Sequence, residues 1–174
     1  MKKWILCTMI GMLFMGCKKD QFDINNPSVE KFVQLLKSGT YSEYERNEKG
    51  ELLWLKMPKF RQEHIAALID LSKDTTHIQK FPTNPVSSRT PIPYGRDYFV
   101  LGECLLWMVE GIRGGGSLDP YLVDTSKDVN ERYKGVTTTE ILTISDKYRQ
   151  WWSGYKNGDW KGNDPLAGTS YSWM

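Results

Sequence analysis

The stretch RDYFVLGECLLWMVEGIR, residues 96–113, decides the fold. Apolar side chains recur in it at spacings of three and four residues, which is the period of an α-helix. Further apolar residues extend the hydrophobic surface almost all the way round the helix. Because such a helix must be buried on most sides, we predict that it lies at the centre of a domain. The glycines at 114–116 end it.

Three amphipathic helices are predicted around the central one, over residues 27–39, 58–73 and 137–158. Each places apolar residues three and four positions apart, so each has one face to bury. The last of them opens with the clearest local signal in the chain. Thr137 and Glu140 have the spacing of a capping box, in which each side chain bonds the other residue's backbone N–H.

Residues 40–57 have a different pattern. Aromatic residues and leucines flank the turn Asn47–Gly50, which is typical of a β-hairpin. We therefore predict a mainly α domain over residues 27–158, either a small helical bundle or a helical-repeat-like domain, with one β-hairpin. Residues 159–174 are rich in glycine and polar side chains, and we expect a loosely ordered tail there.

The N-terminus has the features of an export signal. Two lysines precede residues 4–16, which are uncharged and mostly apolar. As a helix this segment would span about 20 Å, too short for a bilayer core of about 30 Å. The sequence Leu13–Cys17, LFMGC, follows and resembles the lipobox of bacterial lipoproteins. The resemblance implies a type II signal peptide over residues 1–16 and an acylated Cys17 as the new N-terminus. An ordinary secretory signal and a short core helix are the alternatives.

The same resemblance implies a location. Residues 17–26 would be a lipidated tether, and the lipid bilayer would be a partner through Cys17. The start of the tether looks like those of Bacteroidetes-type lipoproteins, and the body resembles lipoprotein domains of that type. This implies lipid anchoring in the bacterial cell envelope, in the outer membrane, on either its periplasmic or its surface face.

The charge balance gives no reason to expect a nucleic-acid partner. Without the two lysines of residues 1–16, the chain carries 21 basic and 21 acidic residues. Nucleic-acid binding needs a basic surface, because the affinity comes largely from phosphate contacts that release counterions. We therefore expect no nucleic-acid partner.

Few residues offer catalytic or metal-binding chemistry. His64 and His77 lie far apart on different predicted elements, and no His or Cys pair has the spacing of metal ligands. We therefore expect no metal and no cofactor. Cys104 lies in the middle of the central helix, where we expect it to be buried and inert, because burial disfavours the reactive thiolate.

Glu103 and Glu110 are the most informative polar pair. They lie seven residues apart on the central helix, hence on one face about 10 Å apart, with Trp107 between them. Three interpretations remain open. The stripe could be solvated, with Glu110 and Arg113 as an ion pair; it could be a binding ridge; or the two carboxylates could cleave a glycosidic bond.

Trp152 is the other candidate for a binding surface. Adjacent helical residues point about 100° apart, so Trp151 and Trp152 cannot both face one core. Alternatively, the hairpin or the tail covers Trp152, the tail through Trp160 or Trp173. We predict an envelope lipoprotein that acts as a non-enzymatic binding or scaffold module for a protein or glycan partner. The alternative is a hydrolase that acts on glycan or peptide.

Overall fold

The computed structural model describes residues 22–82, 93, 95–114 and 119–174, and the structural statements below concern those residues. The predicted signal peptide, Cys17 and the first part of the tether lie outside them. The α-helices are α1 (Val29–Lys37), α2 (Ile65–Leu71), α3 (Leu101–Arg113), α4 (Val129–Arg132) and α5 (Thr138–Tyr155). The strands are β1 (Tyr44–Arg46), β2 (Leu52–Leu55), β3 (His77–Ile78), β4 (Phe99–Val100), β5 (Leu122–Asp124) and β6 (Tyr171–Trp173).

The prediction of a mainly α fold with one hairpin is wrong, because the domain is mixed. In the described residues the strands form three antiparallel pairs, β1 with β2, β3 with β4, and β5 with β6. The predicted hairpin is the first of these. The strands of the other two pairs are two or three residues long and come from distant parts of the chain. These strands are too short for an alternation of apolar and polar residues to be recognised in the sequence.

The central helix is present but shorter than predicted. It begins at Leu101, because Phe99 and Val100 are extended and pair with Ile78 and His77 of β3. It ends as predicted at a glycine, since Gly114 has a left-handed φ of 90° and its N–H bonds the carbonyl of Glu110.

Side-chain caps mark the starts of α1 and α5. Thr137 Oγ1 accepts the N–H of Glu140 at 3.3 Å, and Glu140 Oε2 accepts the N–H of Thr137 at 2.6 Å, so the predicted capping box is confirmed. Helix α1 begins later than predicted, with Ser28 as its N-cap. Helix α2 also begins later, at Ile65, after the 3₁₀ turn Gln62–His64.

Helix α3 lies in the core and packs against both α2 and α5, which also contact each other. Leu101, Leu105 and Leu106 are fully buried. Its first turn lies directly against the end of α2, where the Gly102 N–H bonds the carbonyl of Asp74 at 2.8 Å. A Cβ at Gly102 would lie 1.9 Å from the carbonyl oxygen of Ser72. The glycine therefore permits a backbone-to-backbone contact that no larger residue allows.

The C-terminal segment is ordered, unlike the loose tail that its composition suggests. Trp160 and Leu166 are buried in the core, and Tyr171–Trp173 form β6. Strand β6 pairs with β5, with Leu122 opposite Trp173 and Asp124 opposite Tyr171. The large apolar side chains supply the buried surface that holds this polar, glycine-rich segment against the domain.

Among the described residues, no helix is both long enough and apolar enough to span a membrane.

Candidate functional site

Glu103 lies inside the domain, contrary to the expectation of a solvated stripe or a binding ridge. It is 1% exposed, although charged residues are almost never buried unless they are paired. Its Oε2 accepts from Arg96 at 3.2 Å, and its Oε1 accepts the backbone N–H of Leu122 at 2.6 Å. Burial raises the pKa of Glu103 to about 7, while Arg96 and the backbone N–H act in the opposite direction.

Glu110 is buried to the same extent, about two helical turns further along α3. The predicted ion pair with Arg113 is present at 2.6 Å, but it is formed inside the domain. The other carboxylate oxygen accepts the hydroxyl proton of Tyr148 at 2.6 Å. The Tyr148 hydroxyl accepts in turn from Nε1 of Trp173 at 2.8 Å. Glu110 is thus linked through α5 to the C-terminal strand.

The two carboxylates hold the two strands of one sheet. Glu103 bonds Leu122 of β5, Glu110 reaches Trp173 of β6 through Tyr148, and Leu122 and Trp173 are opposite each other in the sheet. We call this closed set of five residues the α3–sheet network. A one-residue slip of either strand would break it, so the network fixes the register of the sheet. Both carboxylates have a structural role.

Trp107 is the member of the predicted stripe that borders open space. It is half-buried, and its ring meets Phe81 edge-on at a centroid distance of 5.9 Å. Beside it lies a cavity of about 290 Å³, lined by Met57, Pro58, Phe60, Trp107, Met108, Gly111 and Ile112. A Cβ at Gly111 would meet nothing within 4 Å, so the missing side chain contributes to the open space.

The chemistry of the cavity lining is apolar. None of its seven lining residues carries a titratable or nucleophilic side chain. Such a lining can hold an apolar group, and two of its members are methionines, whose flexible side chains adapt to different shapes. It supplies no general acid, general base or nucleophile.

The β1–β2 hairpin next to the cavity carries exposed apolar side chains that the sequence analysis did not single out. Leu52, Leu53 and Trp54 are 53%, 44% and 41% exposed, and Tyr44 is 38% exposed. The sequence held one signal for this. A strand with one solvent-facing side normally alternates apolar and polar residues. Strand β2 reads LLWL, so both of its faces are apolar.

Trp152 is covered by the C-terminal segment, which is the alternative that the sequence left open. It is half-buried, and its ring lies 5.9 Å from that of Trp160 and 5.7 Å from that of Trp151. The structure therefore separates the two tryptophan candidates. Trp107 borders a cavity, whereas Trp152 belongs to an aromatic cluster on α5.

The remaining candidates have structural roles. Cys104 is fully buried as predicted, and burial raises the pKa of its thiol well above the ordinary value. His64 accepts the N–H of Arg61 through Nδ1 at 3.0 Å. His77 stacks on Tyr98 with ring centroids 3.7 Å apart. Within the described ranges, no group of three or more His, Cys, Asp or Glu side chains is placed to hold a metal ion.

These features define a small domain of mixed helices and antiparallel strands, with a central helix, a buried carboxylate network and an apolar cavity. A family profile described as "Domain of unknown function (DUF4943)" matches residues 23–174. The chain belongs to this family. No curated protein and no solved structure matches it.

Proposed function

We propose that this protein is a lipoprotein of the Gram-negative outer membrane, anchored through acylated Cys17, whose domain is a non-enzymatic binding module. The observation that carries the binding role is the apolar cavity beside Trp107. The proposed anchor rests on the sequence pattern of residues 1–17.

The positions of the carboxylates favour binding over hydrolysis. A glycosidase needs two carboxyl groups that flank an accessible bond, and a general acid must reach the leaving group. Glu103 and Glu110 are both buried, and both are engaged by partners inside the domain. Neither carboxylate is therefore placed to flank an accessible glycosidic bond, and this favours binding over the hydrolase alternative.

The size and lining of the cavity favour a protein partner over a glycan. A volume of about 290 Å³ lies at the lower end of small-molecule sites, which start near 300 Å³, and suits one or two apolar side chains. Protein interfaces often depend on one aromatic or aliphatic side chain inserted into such a pocket. A sugar would also need several hydrogen-bonding groups around the aromatic ring, and the lining side chains other than Trp107 are apolar.

Filling the cavity tests the proposed binding site. Gly111→Leu places a side chain in the open space next to Trp107, on a helix where leucine is more favourable than glycine by roughly 0.5–1 kcal/mol. The matched control is Gly154→Leu on α5, where a Cβ also meets nothing within 4 Å. A photo-crosslinking residue at Met57, on the rim of the cavity, reports contacts in cells.

We expect a discrete crosslinked protein adduct that mass spectrometry identifies. It should be lost in Gly111→Leu and kept in Gly154→Leu, with both variants folded by circular dichroism. Adducts that persist unchanged in Gly111→Leu would show that the cavity is not the binding site.

The anchor is tested at Cys17. Cys17→Ser removes the thiol that carries the thioether-linked lipid, because a hydroxyl cannot replace it. We expect the variant to accumulate with its signal peptide uncleaved or to leave the membrane fraction. The measurement is the mass of the N-terminal peptide together with membrane fractionation. Cleavage at another position with unchanged membrane association would contradict the lipoprotein proposal.

A further inference from the structure

The β1–β2 hairpin presents apolar side chains to solvent on both of its faces. Successive residues of a strand point to opposite faces, so Leu52 and Trp54 share one face and Leu53 lies on the other. All three are more than two-fifths exposed. Tyr44 of β1 is exposed as well. This surface needs a partner that can contact a hairpin from more than one side.

The base of the hairpin lies against the first described residues. Phe22 packs edge-on against Tyr41 with ring centroids 5.7 Å apart, and the Tyr41 hydroxyl donates to the carbonyl of Lys56 at the end of β2. The N–H of Lys59 bonds the carbonyl of Ile24 at 2.8 Å. The chain therefore enters the domain beside the hairpin.

This placement brings the proposed anchor close to the hairpin. Cys17 lies five residues before Phe22, so the intervening chain spans at most about 18 Å. The exposed side chains of β2 lie within four residues of Lys56, or about 14 Å along the strand. A bilayer that holds the acyl chains of Cys17 is within reach of these side chains.

We propose that the β1–β2 hairpin is a second membrane contact, with Leu52, Leu53 and Trp54 seated in the interfacial region of the bilayer that holds Cys17. The inference rests on the proposed lipid anchor. Tryptophan, tyrosine and leucine are the side chains that lower the free energy of a polypeptide at this depth.

The hairpin contact is apolar in character. Residues 44–56 carry three basic and three acidic side chains, and Lys56 pairs with Glu45 at 3.0 Å. A neutral hairpin is neither strongly attracted to nor repelled by anionic lipid headgroups. Insertion should therefore be insensitive to salt, in contrast to binding by a basic patch.

The exposed area is too small for a second copy of this chain to be the occupant. Four side chains with areas of about 200 Å² each, less than half exposed on average, present roughly 350 Å². A standard protein–protein interface buries about 800 Å² on each partner. A bilayer contact does not have to be stable by itself, because the anchor already supplies a high local concentration of lipid.

A second contact would set the orientation of the domain. One anchor on a polar tether leaves a domain free to rotate, whereas an anchor and a hairpin hold it at two points. Met57 and Pro58, which directly follow the hairpin, line the apolar cavity. The cavity would then be held close to the membrane surface, at a fixed height for a membrane-associated partner.

The test measures the depth of single dye-labelled positions in the full acylated protein. The mature chain has Cys17, whose sulfur carries lipid in this proposal, and Cys104, which is fully buried, so an introduced surface cysteine is labelled selectively. Leu53→Cys reports the hairpin. Leu142→Cys, 38% exposed on α5, is the matched control. Each labelled protein is reconstituted in phosphatidylethanolamine–phosphatidylglycerol vesicles with or without a spin-labelled quencher lipid.

We expect loss of dye emission at position 53 in proportion to the quencher lipid, at low and high salt alike, and no loss at position 142. Equal emission at both positions in protein that co-floats with the vesicles would leave the anchor standing and overturn the hairpin contact. Crosslinking between hairpins of two copies without quenching would overturn it as well. Protein that fails to co-float would overturn both the anchor and the contact that depends on it.

Discussion

Tyr148→Phe tests the α3–sheet network, because it removes one oxygen atom and leaves the aromatic ring in place. Tyr148 is fully buried. Its hydroxyl donates to Glu110 at 2.6 Å and accepts from Trp173 at 2.8 Å. Burial and the neighbouring Glu110 carboxylate raise the pKa of Tyr148 well above its ordinary value, so the hydroxyl is a donor throughout the neutral range.

The magnitude follows from the two bonds. A hydrogen bond to a charged group contributes about 1.5–3 kcal/mol, and one between neutral groups about 0.5–1.5 kcal/mol. Glu110 keeps its ion pair with Arg113, so the carboxylate is not left without a partner, which limits the loss. We expect Tyr148→Phe to lower the free energy of unfolding by about 2–4 kcal/mol.

The measurement is urea unfolding of the chain without residues 1–17, followed by circular dichroism. Tyr155→Phe is the matched control, because it makes the same change at an exposed position of the same helix and should cost less than about 0.5 kcal/mol. Trp173→Phe should cost less in the Tyr148→Phe background than alone, since the two side chains share one bond. A Tyr148→Phe effect no larger than that of the control would refute the network.

Three further changes test the core. Gly102→Ala forces a Cβ to 1.9 Å from a backbone oxygen and should lower the free energy of unfolding by more than about 3 kcal/mol, measured by urea unfolding. The control Gly154→Ala, in open space on α5, should raise the free energy of unfolding by about 0.5–1 kcal/mol. Leu105→Ala, at a fully buried position, should cost about 2–5 kcal/mol by the same measurement, and a loss below about 1 kcal/mol would place α3 at the periphery. Because the pKa of Glu103 is raised from 4.5 to about 7, the folded state holds the proton more tightly, and the free energy of unfolding should fall as the pH rises through this window. The expected decrease in the free energy of unfolding is up to about 3 kcal/mol. Unfolding curves measured from acid to neutral pH should show this decrease in the parent chain and not in Glu103→Gln.

The parts of the fold that local signals encode could be predicted from the sequence. The apolar period of α3, the capping box at Thr137 and the turn Asn47–Gly50 each lie within a few consecutive residues, and each marks its element. The two small sheets that were missed join residues far apart in the chain. Pairing of β5 with β6 depends on the tertiary structure, and strands of three residues leave no period of their own.

Only part of the candidate site could be predicted, because its remaining contacts also depend on the tertiary structure. Periodicity placed Glu103, Trp107 and Glu110 on one face of α3, but it could not show what covers that face. Strand β5 and helix α5 cover both carboxylates and leave Trp107 beside a cavity. The i,i+3 pair of Glu110 with Arg113 was predictable from spacing, whereas its burial depended on Tyr148, 38 residues away from Glu110.

The α3–sheet network gives the β5–β6 sheet and the β1–β2 hairpin different expected dynamics. An isolated two-stranded sheet is marginal in water, and the β1–β2 hairpin exposes Leu52, Leu53 and Trp54 to solvent instead of packing them against the core. The β5–β6 sheet is as small, but its opposite residues Leu122 and Trp173 are bonded to the central helix and to α5. Backbone amides of β5 and β6 should therefore exchange with solvent deuterium only through global unfolding, and those of the hairpin through local opening. On this basis we expect the C-terminal strand to belong to the same cooperative unit as the core, and the hairpin to open and close without disturbing it.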